Sequence, residues 1–377
     1  MMSGMRIEDF ALERFFARHE FAVRHLLCAS DVEGWPMADL LALADPEAAA
    51  LWHGLRLGYT EAPGHPLLRR EIAGLYESIA PDEVLVFSGA EEAIFVATNV
   101  LLGPGDHAIV VWPAYQSLHE VARAAGAEVT LHELRAVDGW AIDVDLLRRQ
   151  VTPRTRLIVV NWPHNPTGAL PDAATYHAIA AIAADAGATL LSDEVYRFLE
   201  LDPTDRLPAG ADVGPHGVSV GVMSKSFALA GLRIGWLATH DTRLLDAAAR
   251  FKDYTTICAS APAEILSLIA LRARDPVLAR TRGIVDANLA LLDGFFGRQA
   301  AHFDWVRPRG GSIAFPALRA EVPVGRFAQD LLEAEGVLIA PGSIFGHPGN
   351  HFRLGFGRTD LPVALGRLEA FAGRTLG

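Results

Sequence analysis

The chain has 377 residues, 51% hydrophobic and 21% charged, with a formal net charge of −12. Such a length exceeds what one hydrophobic core usually serves, so a large unit and a smaller companion are expected. The acidic balance, with no Lys/Arg-rich run, argues against nucleic acid as the main partner.

Cys28 and Cys258 lie far apart and in no metal-spaced or C-x-x-C pattern, which predicts a reducing, cytoplasmic setting. The first twenty residues hold no signal-peptide core. The Ala-rich run 178–191 is broken by Asp185 and Gly187 and is too short for a bilayer, so no membrane partner is expected.

Apolar spacing predicts a helix over 10–25, then a loop at 30–36 and a second helix over 37–44. A Gly/Pro-rich loop at 57–66 runs into an amphipathic helix at 67–79. From Asp82 the texture alternates. Short apolar runs at 84–87, 107–112, 128–134, 157–160, 189–192, 218–223 and 235–239 read as strands. Helical stretches at 91–101, 115–125, 172–185 and 241–252 lie between several of them. The alternation predicts an α/β fold with a mostly parallel, seven-stranded sheet covered by helices. After Arg272 a long helix (277–298), shorter helices at 326–335 and 361–372 and brief apolar segments read as a smaller α+β unit.

Only two of the 33 basic residues are lysines, and Lys225 sits in the small, apolar run 222–236. Arg keeps its proton in a protein, whereas a desolvated Lys can lose it, and a neutral amine forms an imine with an aldehyde. Taken alone, Lys225 fits equally well a buried stem with its head in water.

In open parallel sheets ligands bind beyond the carboxyl ends of the strands. Ser88-Gly89-Ala90 ends one strand and opens a helix, a turn that suits a phosphate. Glu91 and Glu92 then read as charges favoured at a helix N-terminus. Asn165-Pro166-Thr167-Gly168 forms a tight turn that sets the Asn165 amide at the sheet edge. Asp193 closes an apolar strand, where a carboxylate either faces a cation or caps the next helix. Arg233, eight residues after Lys225 and among glycines, suits a phosphate or carboxylate. Arg353, flanked by apolar residues, clamps a substrate carboxylate or pairs with a buried Asp. No G-x-G-x-x-G follows a strand, and G-x-x-x-x-G-K-[ST] and H-E-x-x-H are missing. His347 and His351 lie in a Gly/Pro loop, so no metal is expected. An imine-forming amine, a phosphate cradle, a carboxylate and two Arg together fit pyridoxal 5′-phosphate (PLP).

With Asp193-Glu194-Val195-Tyr196 added, these motifs resemble class I/II aminotransferases of the fold-type-I PLP enzymes, in the family's order and over nearly the whole chain. The resemblance implies a large PLP-binding domain over 45–275 and a small domain built from 1–44 and 276–377. It implies that Lys225 holds PLP as an imine and shuttles the substrate proton, and that Asp193 pairs with the pyridinium nitrogen. Asn165 and Tyr196 would bond the phenolic oxygen, Tyr115 would stack on the ring, and Arg353 would bind the substrate carboxylate. The phosphate would be held by Ser88, Gly89, Ala90, Glu91, Ser224 and Arg233. Tyr59 would reach the neighbouring subunit's site, which implies a homodimer. The implied reaction moves an amino group from an L-amino acid to a 2-oxo acid.

Three departures stand out, one being that no second substrate-binding Arg is identifiable, so a substrate with an acidic side chain is not indicated. Val222 occupies the place of a phosphate-binding hydroxyl, for which Ser224 or Ser226 would compensate. Ser30-Asp31-Val32-Glu33 replaces a loop that usually offers Gly. That loop, with Trp162-Pro163-His164, Lys252-Asp253-Tyr254-Thr255 and Pro308-Arg309-Gly310-Gly311-Ser312, is similar to capreomycidine synthase-like members, which implies elimination or cyclisation on a basic amino acid as the alternative reaction. Asp31 or Glu33 would then face a cationic substrate group, or both are solvated loop charges. A regulator that merely carries such a domain would need a basic DNA-binding head, and no basic N-terminal domain exists in the sequence.

Overall fold

Seven segments pair into one sheet: β1 (Val84–Phe87), β2 (His107–Trp112), β3 (Glu128–Glu133), β4 (Thr155–Asn161), β5 (Thr189–Asp193), β6 (Gly217–Val222) and β7 (Gly235–Ala238). The structure is a computed structural model that describes residues 6–376. Residues 1–5 and 377, assigned above to the small domain, lie outside the described residues. The strand order is β1-β7-β6-β5-β4-β2-β3. All neighbours are parallel except β7, which runs antiparallel to both β1 and β6.

Burial explains why these segments became strands. Every residue of β2, β6 and β7 is buried, as interior strands of a sheet covered on both faces must be, and so is every residue of the edge strand β1. Val110, Leu157 and Val159 feed one apolar cluster, whereas Ile109, Ile158 and Val160 feed another across the sheet. That is the two-residue alternation of a pleated strand, and each such side chain contributes about 1.5–3 kcal/mol on burial. Helices Ala90–Leu101 and Thr242–Lys252 close the first face, and Ala173–Asp185 the second. Asp172 and Asp241 start two of them by accepting backbone N–H groups at 2.7 and 3.1 Å.

A separate apolar cluster is built from helices Arg274–Arg298, Val324–Glu335 and Leu361–Thr375, with Leu27 and Val32 from the N-terminal segment. That segment is tied in by the parallel pairing of His25–Leu26 with Val337–Leu338. The pairing also explains why the helix expected over 10–25 is shorter: it spans Ala11–His19, and the chain then turns toward the pair. The helix expected over 67–79 runs from Pro66 to Ala73 and stops at Gly74.

Helix Ala11–His19 lies across the carboxyl ends of the strands. Ala11 N–H donates to Gln116 Oε1 at 2.9 Å, and Gln116 Nε2 donates back to the Asp9 carbonyl at 2.9 Å. Phe10 packs on Tyr115 with ring centroids 4.9 Å apart. Among the described residues no helix is long and apolar enough to cross a membrane.

Candidate active site

The strand register brings the chemistry to one edge. Asn161 of β4 is level with Asp193 of β5, and Asp193 is level with Val220 of β6. Beyond those ends lies a cavity of about 530 Å³, roofed by Ala11–His19 and floored by the segment that follows β6. Its size suits a cofactor together with a small substrate.

Lys225 lines this cavity, and its Nζ donates to Ser30 Oγ at 2.8 Å. Burial holds the amine below the ordinary lysine value, assisted by the Arg353 and Arg233 guanidiniums against Asp31 and Glu13. Asp193 also lines the cavity and is 3% exposed. Its Oδ1 accepts the Val195 N–H at 3.2 Å, yet burial, with Glu194 and Glu91 near, still pushes the carboxyl up to about 7. A group so placed gains from a cation set against it. Asn161, which the sequence reading left without a role, staples the site: its Nδ2 donates to the Asp193 carbonyl at 2.9 Å, and its Oδ1 accepts the Asn165 N–H at 2.7 Å.

Tyr196 is fully buried and gives its hydroxyl to the Ser30 carbonyl at 3.2 Å. Burial raises its pKa, and the same holds for Tyr115, whose hydroxyl donates to Glu13 Oε1 at 3.0 Å.

At the other end of the cavity, Ala90 and Glu91 open helix Ala90–Leu101 beside Arg233. Gly89 (φ 88°) is required there: a Cβ would stand 2.6 Å from Arg233 Nη2. Arg233 itself adopts a left-handed backbone (φ 52°), which is uncommon outside glycine and aims its guanidinium at the turn. Glu91, bonded by the Ser117 hydroxyl at 3.0 Å, is pushed by burial up to about 7. The Ser88 N–H donates to Glu92 Oε2 at 2.6 Å, and Glu92 Oε1 accepts the Thr255 and Thr256 hydroxyls, which ties the turn to the 252–258 loop. Val222 and Ser224 line the cavity, whereas the Ser226 hydroxyl is spent on the Arg197 carbonyl.

Arg353 is entirely buried. Nη1 donates to Asn165 Oδ1 at 3.3 Å and Nη2 to the Cys28 carbonyl at 3.0 Å, while Nε has no partner. No carboxylate among the described residues pairs with it. A buried guanidinium in that state is costly unless an anion arrives.

Asp31 lines the cavity but is bonded by Arg358 at 3.0 and 3.1 Å. Glu33 lies outside the cavity lining, and its carboxylate accepts the Thr359 N–H and hydroxyl at 3.0 and 2.5 Å. Tyr59 is 91% exposed and away from the cavity. Three polar residues of the lining had no site role in the sequence: Ser30, Glu13 and Glu20. Helical spacing had marked the segment that carries the two acids, but which face meets the site is set by tertiary packing.

The family model for aminotransferase class I and II matches residues 30–365. The chain belongs to the class I and II aminotransferase family. Capreomycidine synthase from Streptomyces vinaceus is 31% identical over 352 residues, covering 93% of this chain and 88% of that one. A solved PLP-dependent aminotransferase from Streptococcus suis superposes with a TM-score of 0.92 at 31% identity, covering 98% and 99% of the two chains. The PLP-dependent cyclase OrfR superposes at 0.90 with 34% identity over 99% of each. PLP is thereby the cofactor implied for this aminotransferase-family chain. The donor set fits it: an Arg and a helix start at one end, a low-pKa amine between, and a buried carboxylate lacking a facing cation at the other.

Proposed function

We propose that the chain is a PLP-dependent aminotransferase that moves the amino group of an L-amino acid to a 2-oxo acid. The observation that carries this reading is a single cavity holding the buried Lys225 amine, with the fully buried, carboxylate-free Arg353 reaching it through Asn165. When bound, PLP supplies an aldehyde for the amine and a ring that accepts the electron pair left at the substrate Cα.

Lys225 is the attachment point and, once released, the base that takes the Cα proton and returns it. Its depressed pKa leaves more neutral amine for both tasks. Asp193 would face the ring nitrogen and favour its protonated form, and a cation there would in turn hold Asp193 ionised. Asn165 and Tyr196 would hold the phenolic oxygen, and Tyr115 would hold the ring. Ala90 and Glu91 N–H groups, Ser224 and Arg233 would hold the phosphate at the turn formed by Ser88 and Gly89. Arg353 receives the substrate carboxylate.

Tyr59, with Leu57 (88% exposed) and Tyr254 (92%), supports a homodimer in which Tyr59 reaches the second site. The domain division at 45–275 against both termini, and a cytoplasmic location, belong to the same proposal.

A second reading, elimination or cyclisation of a basic amino acid, is favoured by the acidic lining of the cavity: Glu13, Glu20 and Asp31. Two similar proteins, a synthase and a cyclase, carry names of that kind. Product analysis with and without a 2-oxo acid separates the readings. An aminotransferase stops after one equivalent without the acceptor; continued turnover overturns the first reading. Borohydride reduction followed by peptide mapping tests both, since each needs the pyridoxyl mass on Lys225.

A further inference from the structure

We infer that Ser30 is a positioning residue for the Lys225 amine: its hydroxyl holds that amine in the cavity whenever the amine is free. The inference rests on the reading of Lys225 given above and adds a residue that this reading does not use.

The lysine side chain has four rotatable bonds, so a free amine scatters unless something fixed receives it. Ser30 Oγ lies 2.8 Å from Nζ. Ser30 itself is not free to drift. Its carbonyl accepts two hydroxyls, Tyr196 at 3.2 Å and Ser312 at 2.9 Å. The chain on both sides is strapped down as well. Gly355 N–H donates to the Leu27 carbonyl at 2.9 Å, and Glu33 N–H donates to the Gly357 carbonyl at 2.8 Å.

The charged groups around the amine do not substitute for the hydroxyl. Asp31, on the same loop, is engaged by Arg358. Glu13, on the roofing helix, receives Tyr115. Arg353 and Arg233 repel an ammonium, and Asp193 has its own place at the ring end. A carboxylate at position 30 would lock the amine in its charged form. A hydroxyl accepts from an ammonium and donates to a neutral amine, so it keeps the side chain aimed in both states. That is what a group alternating between attachment and proton transfer needs.

The test uses cofactor-free protein and pH-dependent labelling of amines with acetic anhydride, read by peptide mass spectrometry. In Ser30→Ala the labelling midpoint of Lys225 falls by about half a pH unit, because the hydroxyl bonds the ammonium more strongly than the neutral amine and only that difference moves the midpoint. Lys252, whose amine donates to the Ala62 carbonyl at 2.5 Å, does not move. Ser30→Gly removes the hydroxyl by a second route and shows the same shift, and Ser30→Thr restores the parent value. In the loaded enzyme Ser30→Ala lowers kcat about tenfold with KM within about twofold. A Lys225 midpoint unchanged in both Ser30→Ala and Ser30→Gly overturns the inference, as does a Thr variant that fails to restore it. Borohydride mapping keeps the two failures apart: a cofactor found elsewhere than on Lys225 sinks the functional reading, while the midpoint still reports on Ser30.

Discussion

Arg353 reaches Asn165 across 188 positions of sequence, with Nη1 3.3 Å from Oδ1. One contact thus couples the group proposed for the substrate carboxylate to the turn proposed for the cofactor. The Cys28 carbonyl fixes the other nitrogen, so the guanidinium plane is set before any ligand arrives.

Replacing Arg353 by Lys keeps the charge and loses the planar fork. The KM for the amino donor should rise about 30- to 100-fold, the cost of a charge-assisted, two-pronged contact. Asn165→Ala should also raise KM by releasing the guanidinium. The double variant should then lose less than the sum of the two, by about 1 kcal/mol in a double-mutant cycle. Strict additivity would show that the contact does not orient Arg353.

Lys225→Ala should lower turnover about a thousandfold or more, because attachment and proton transfer fail together. Lys225→Arg should do no better: an always-protonated guanidinium is neither a nucleophile nor a base. Recovery of activity by the Arg variant would assign the lysine a purely electrostatic role.

The carboxyl of Asp193 titrates far above its ordinary 3.8, at about 7. In the native cofactor-free protein it therefore binds a proton that the unfolded chain has already lost. Stability must fall as pH rises from about 4 to about 7, by at most about 4 kcal/mol for a shift of this size. Asp193→Asn removes the titration, so the melting temperature of that variant should decline less over the same range. Added PLP should flatten the slope of the parent protein, because a pyridinium cation reverses the cause of the shift. Parallel melting curves for parent and variant would place the proton elsewhere.

The parts of this protein legible in its sequence were those with a local cause. Buried strands such as Val84–Phe87 announce themselves as short apolar runs, and the order in which those runs end in Gly89, Asn165, Asp193 and Lys225 carried the family. Helix Ala261–Arg272 escaped because nine of its residues are buried, which erases the 3.6-residue pattern on which the reading relied. Pro46–His53 escaped for another reason: its Ala-rich run shows little contrast between faces, whereas the equally short Pro66–Ala73 has a clear apolar face and was read. The loop that starts at Ser30 stood out, but the role of Ser30 itself was not legible, since its partners Tyr196, Lys225 and Ser312 lie 166 to 282 positions away.

The acidic lining of the cavity yields the sharpest prediction on substrate choice. Glu20 is raised above its ordinary value by burial first, then by Asp31 and Glu13. Carboxylates crowded in that way gain when a cation is placed among them. Glu20→Gln should therefore lower kcat/KM for arginine or lysine about five- to tenfold more than for a neutral donor, the value of one partly solvated charge pair. The parent's preference for basic donors should weaken as pH falls through the Glu20 titration, because the carboxylate is lost on that side. Glu33→Gln should lower both donor classes alike, since the Glu33 carboxylate is committed to Thr359 and lies outside the cavity lining. Equal losses for basic and neutral donors in Glu20→Gln would remove the case for a cationic substrate and, with it, the main structural support for the cyclisation reading.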